Sequence, residues 1–106
     1  MTPHPVVIEP DARLEIGESA AWYAERGADL AARMLDEVQD RVAAIGERPR
    51  RFPPIPGLPT SRVVRKARLD RFPYALIFVE SPNAVRVVAF AHLRRRPLYW
   101  ADRLES

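Results

Sequence analysis

RVVRKARLDRFPYALIFVESPNAVRVVAFAH, residues 62–92, holds three strand-like runs divided by two short turn segments. Residues 62–69 alternate, with Val63, Arg65, Ala67 and Leu69 on one side and Arg62, Val64, Lys66 and Arg68 on the other. Residues 74–79 are apolar without a break, the pattern of a central strand covered on both faces. Residues 85–92 alternate again, Val85, Val87, Ala89 and Ala91 against Arg86, Val88, Phe90 and His92. The intervening residues 70–73 and 81–84 are turn material, short enough to require hairpins. Three strands joined by two hairpins form an antiparallel meander.

Outward from this stretch, residues 49–61 (PRRFPPIPGLPTS) contain five prolines. Proline lacks an N–H and fixes φ, so this segment is a stiff loop, neither helix nor central strand. Before it, Leu30, Met34, Val38, Val42 and Ile45 recur at helical spacing, with Ala31 and Leu35 widening the stripe. Asp29–Arg33 and Glu37–Arg41 have the spacing of exposed ion pairs within that helix. Gly46 and Pro49 end it. An earlier helix runs from about Ala12 to Arg26, with Ala12, Ile16, Ala20, Tyr23 and Ala24 inward, Asp11 as candidate N-cap and Gly27 as stop. The short link between the two makes them an antiparallel hairpin. Residues 5–9 begin with a brief apolar run that reads as an edge strand. The expected fold is α+β, one domain over residues 1–106: an antiparallel sheet, made of the N-terminal edge strand and the meander, with the helical hairpin on one face. Met34, Val38, Val42, Leu30 and Ile45 should pack on Val63, Leu76, Phe78 and Val87. The second face is expected to stay open. The tail, RRRPLYWADRLES, should close with one helical turn after Pro97.

The chain has 106 residues, 47% hydrophobic and 29% charged, which excludes a disordered composition. No apolar run approaches membrane-spanning length, and the N-terminus lacks the pattern of a secretory signal. There is no cysteine, so disulfides and thiolate metal sites are excluded, and the cytoplasm is the expected compartment. His4 and His92 by themselves do not make a metal site, and no cofactor is expected. Charge is segregated. Residues 1–47 carry ten acidic and four basic side chains, a net of −6, whereas residues 48–106 carry thirteen basic and four acidic ones, a net of +9. Such a basic half suits a polyanion or an acidic peptide.

Several strings resemble the RelE/ParE toxin superfamily: WYAERGADLA, IGERPRRFP, VRKARLDRFPYALIFVE and VRVVAFAHLRRRPLYW. RFPY followed by H-x-RRxPxYW is similar to its plasmid-stabilisation branch, and the resemblance covers residues 5–103. It implies a RelE/ParE-like fold and the toxin role of a type II toxin–antitoxin system, arresting growth when free of its antitoxin. It also implies that the target is either DNA gyrase, poisoned without catalysis, or the ribosome and its mRNA, cut by an interferase. As an interferase, the chain would use Lys66, Arg68, His92, Arg95 and Tyr99 as its catalytic set. Lys66 and Arg68 would grip phosphates, and His92 would act as general acid or base. The family arginine on the central strand falls on Ala75, which weakens that set and tilts the balance slightly towards the ParE-like gyrase poison. Arg94, Arg95, Arg96 and Trp100 are the candidate polyanion or target contacts, because arginine interleaved with aromatic rings can stack on bases. Trp22 and Tyr23 read as core or helix-pair residues. A decayed toxin that only binds antitoxin, and a general RNA-binding domain, stay open as other readings. The expected partner is a cognate antitoxin whose acidic or amphipathic segment adds a helix or strand on the basic half or the helix pair.

Overall fold

The computed structural model describes residues 4–58 and 60–105. Along the chain lie β1 (Val6–Ile8), α1 (Pro10–Ala24), α2 (Ala28–Glu47), β2 (Val64–Arg68), β3 (Tyr74–Glu80) and β4 (Val85–His92). Single 3-10 turns occupy Pro49–Arg51 and Ala101–Glu105. The strands form one sheet in the order β1-β4-β3-β2. Both hairpins of the meander are antiparallel, as expected, and β3 lies inside the sheet with Ala75 to Val79 buried. The sheet as a whole is mixed, however, because β1 pairs parallel with β4, Val6 opposite Val85. Hairpins fix strand direction locally, but β1 reaches the sheet only through the helix pair, so no local signal sets its sense.

α2 buries Met34, Val38 and Ile45 against the sheet, joined by Leu76, Phe78, Val87 and Phe90, with Val42 packed alongside. Leu30 is only half-buried, and Leu35 is exposed. Val63 is 55% exposed: β2 begins one residue later, so the pleat does not aim Val63 at the core. Ala67 on β2 and Leu69 just after it face the helices, and Val64 is buried on the opposite face. α1 starts at Pro10, with Glu9 in the cap position and no side-chain cap, so Asp11 lies inside the first turn. Ala12 is buried and Ile16, Ala20 and Tyr23 pack on the core, whereas Trp22 is 49% exposed under the Arg26 guanidinium, 3.4 Å from its ring. Glu37 and Arg41 both turn to the β2–β3 hairpin. The Glu37 carboxylate accepts from the Asp70 and Arg71 N–H groups, and Arg41 pairs with Asp70 at 2.8 Å.

The second face of the sheet is covered. Val64, Ala75, Ile77, Val79, Val88, Ala89 and Ala91 are buried there beneath Trp100 and Leu104 of the tail, with Ile55, Leu58, Leu98 and Tyr99 packed on them. A bulge in β4 makes this face apolar: Ile77 pairs with Ala89 but Phe78 with Val87, so Val88 and Ala89 share a face. The alternation read from residues 85–92 therefore changes phase midway, and Phe90 turns to the helices. The proline-rich loop also covers the outer edge of β2. The Ile55 N–H donates to Val64 O and the Lys66 N–H to Pro53 O, which shields part of an otherwise open edge.

Candidate functional site

The tail lies across the sheet and leaves a shallow cleft of about 210 Å³ at its edge. Ala75, Ile77 and Ala91 from β3 and β4 line it, together with Pro97, Leu98 and Trp100. Lys66, His92, Arg95, Arg96 and Tyr99 come to the same cleft. Five residues that are scattered over 34 positions of sequence thus meet because β2, the end of β4 and the tail converge. The lining is apolar with cationic side chains around it, and Ala75 contributes no charge to it.

Arg68 does not enter this cleft. It is exposed on the edge strand and lines a neighbouring hollow with Arg41, Arg51 and Phe52, with Lys66 touching both. Arg94 is exposed outside the cleft, its backbone N–H donating to His92 Nδ1 at 3.0 Å. That bond leaves Nε2 as the protonated nitrogen of a neutral ring. The imidazole stands edge-on to Tyr74, 5.0 Å between centroids. Trp100 is 3% exposed and serves the packing of the second face, so it offers no ring for stacking. Arg95 lies over the Tyr99 ring at 3.6 Å, a cation–π contact.

One residue organises the tail and was missed in the sequence: Glu15 of α1, 8% exposed. Its carboxylate accepts from the Tyr99 hydroxyl at 2.6 Å, the Phe90 N–H at 3.0 Å and Arg103 at 2.9 and 3.2 Å. Arg95 approaches it at 3.4 Å. Burial pushes the Glu15 pKa up, but the hydrogen bonds from Arg103, Tyr99 and Phe90 outweigh it and hold the carboxyl below the usual range. The Tyr99 phenol moves the other way, raised far above its ordinary value by burial and by the bond to Glu15. Arg103 also donates to Val88 O at 3.0 Å and stands 3.6 Å from Asp11. A signal for this cluster did exist in the sequence. Glu15 falls on the inward stripe of α1, three residues after Ala12, and a buried carboxylate needs a cation. Arg103, the cation that meets it, is 88 positions away. A second link, between Arg86 and Glu9, ties β4 to the start of α1.

Among the described residues no cluster of His, Asp or Glu suits a metal ion, and no helix is long and apolar enough to cross a membrane.

No protein-family model and no curated protein matches the sequence. A solved structure does match the fold: a chain of the "Chromosomal ParDE TA system from P. aeruginosa", with a TM-score of 0.72. The similarity covers 86% of this chain and 97% of that one at 13% identity. This chain therefore shares the fold of that ParDE-system chain, and its sheet is mixed where an antiparallel one was expected.

Proposed function

We propose that the chain is the toxin of a type II toxin–antitoxin pair and that, free of its antitoxin, it arrests growth by binding its target without cutting it. The fold shared with a ParDE chain supports the toxin reading. The observation that carries the non-catalytic form is the Tyr99–Glu15 bond. With its hydroxyl committed to the Glu15 carboxylate, Tyr99 is withdrawn from the interferase set and serves to fix the tail. Ala75 leaves the β3 side of the cleft without the arginine that the resemblance implies there, so the extra negative charge of a phosphoryl transition state would rest on Lys66, Arg95 and Arg96 alone. A cleft with an apolar lining and with Lys66, Arg95 and Arg96 around it suits docking on an acidic surface. This favours a ParE-like poison of DNA gyrase, acting in the cytoplasm and neutralised by an antitoxin with an acidic or amphipathic segment.

A ribosome-dependent mRNA interferase is the second reading, favoured by Lys66 and the His92 imidazole at the same cleft. The damaged molecule decides between them. Induction without antitoxin should leave messages intact, raise the DNA-damage response and, with purified protein, inhibit supercoiling. Messages truncated at ribosomal A sites would overturn the gyrase reading. Intact messages with unimpaired gyrase would leave a protein that only binds antitoxin.

A further inference from the structure

We propose that Glu15 is the positioning residue of this cleft: its buried carboxylate gathers Tyr99, Arg103 and Arg95 and so holds the tail where Arg95 and Arg96 stand beside Lys66. The proposal rests on reading the cleft as the target-binding surface. Three observations lead to it.

The first concerns the edge of β4. β1 ends at Ile8, and the Glu9 N–H takes Val87 O. Beyond that point no strand among the described residues serves the edge. Arg103 takes Val88 O and Glu15 takes the Phe90 N–H, so the two side chains continue the edge where β1 stops. The second is the weakness of the tail by itself. It has one 3-10 turn, and Leu98 sits at φ 62°, a left-handed conformation that a leucine adopts only under outside constraint. The third is chemical. Every group that reaches Glu15 is a donor, and only an ionised carboxylate accepts from all of them. A glutamine of the same size would turn an NH2 towards those donors.

The test compares wild type with Glu15→Gln, and with Val38→Ala as a variant destabilised in the helix-facing core. Carbon-13 labelling of the tyrosine Cζ resolves the ionisation of Tyr99. In wild type it should stay protonated well above the ordinary phenol range, and in Glu15→Gln it should titrate lower than in wild type, because burial alone would then raise it. Amides of residues 101–104 should exchange about ten- to a hundredfold faster in Glu15→Gln, as expected for losing charge-assisted hydrogen bonds. Growth arrest at matched soluble protein should weaken roughly tenfold in Glu15→Gln and persist in Val38→Ala. Unchanged Tyr99 ionisation and tail exchange in Glu15→Gln overturn the proposal, as does an equal loss of arrest in Val38→Ala. Should Glu15→Gln not fold, Tyr99→Phe removes one donor and keeps the ring; tail exchange no faster than wild type then overturns the idea. If wild type itself does not arrest growth, the toxin reading fails, while titration and exchange still decide whether Glu15 positions the tail.

Discussion

The sheet is covered on one face by two helices and on the other by a proline-rich loop and the tail, and the two coverings are held by different means. On the helix face, Met34, Val38 and Ile45 come from one regular stripe and meet Leu76, Phe78 and Phe90 in a dry core. On the other face, small residues of the strands (Ala75, Ala89, Ala91) leave room for two large tail residues, Trp100 and Leu104. The end of that tail is fastened to Glu15 of α1 by charged hydrogen bonds. Apolar burial is indifferent to direction, so it holds a regular helix well. An irregular tail needs directional bonds to keep one shape. The cleft lies beneath the part of the molecule that is held directionally, where the position of each cation matters.

The largest effect should come from the helix face. Phe78→Ala should cost about 3–5 kcal/mol and lower the midpoint of a single cooperative unfolding transition followed in denaturant. Trp100→Ala should cost less, because the tail can undock while the helices and sheet stay folded. Its signature is early loss of protection at residues 101–104 in hydrogen exchange, ahead of global unfolding. If both substitutions cost the same and unfold the whole molecule together, the two faces are one unit and the contrast between them fails.

An intermediate effect should appear with pH. The Glu15 carboxyl is held below its usual pKa in the folded state, so its contribution is present above the usual carboxylate range. That contribution is lost as pH falls through the lowered folded value. Tyr99 has the opposite sign: raised in the folded protein, it stabilises below the ordinary phenol range and loses that contribution as pH rises beyond it. Tail protection, measured against the intrinsic exchange rate at each pH, should therefore fall at both extremes, and Glu15→Gln should flatten the acid limb. An acid limb equally steep in that variant would assign it to other carboxylates.

The smallest effect sharpens the register of β2. Val64→Ala, in the tail-facing core, should cost about 2 kcal/mol. Val63→Ala, one residue earlier and exposed, should change stability by less than about 0.5 kcal/mol. Equal costs would mean that Val63 belongs to the core after all.

Much of this molecule could be read from residues close together in the chain. The α2 stripe, the proline-rich break, the buried central strand and both hairpins follow from helical or two-residue periodicity and from turn chemistry, which act over a few residues. The gathering of Lys66, His92, Arg95 and Tyr99 was expected from motif resemblance, and the structure brings those four together while placing Arg68 and Arg94 elsewhere and Trp100 in the core. Four features depended on distance. The parallel sense of β1 is set by a helix pair that hands the chain on. The β4 bulge shifts the phase of an alternation that looks unbroken as text. The second face is closed by a tail whose burial has no period to reveal it. Glu15 and Arg103 find each other across 88 positions, because a buried carboxylate and a cation attract through space whatever their separation in sequence. The sequence by itself determined the local elements and the segregation of charge, since both are properties of neighbouring residues. Only the tertiary structure decided which cations stand at one cleft and which carboxylate holds them there, since Coulombic and packing contacts depend on three-dimensional distance.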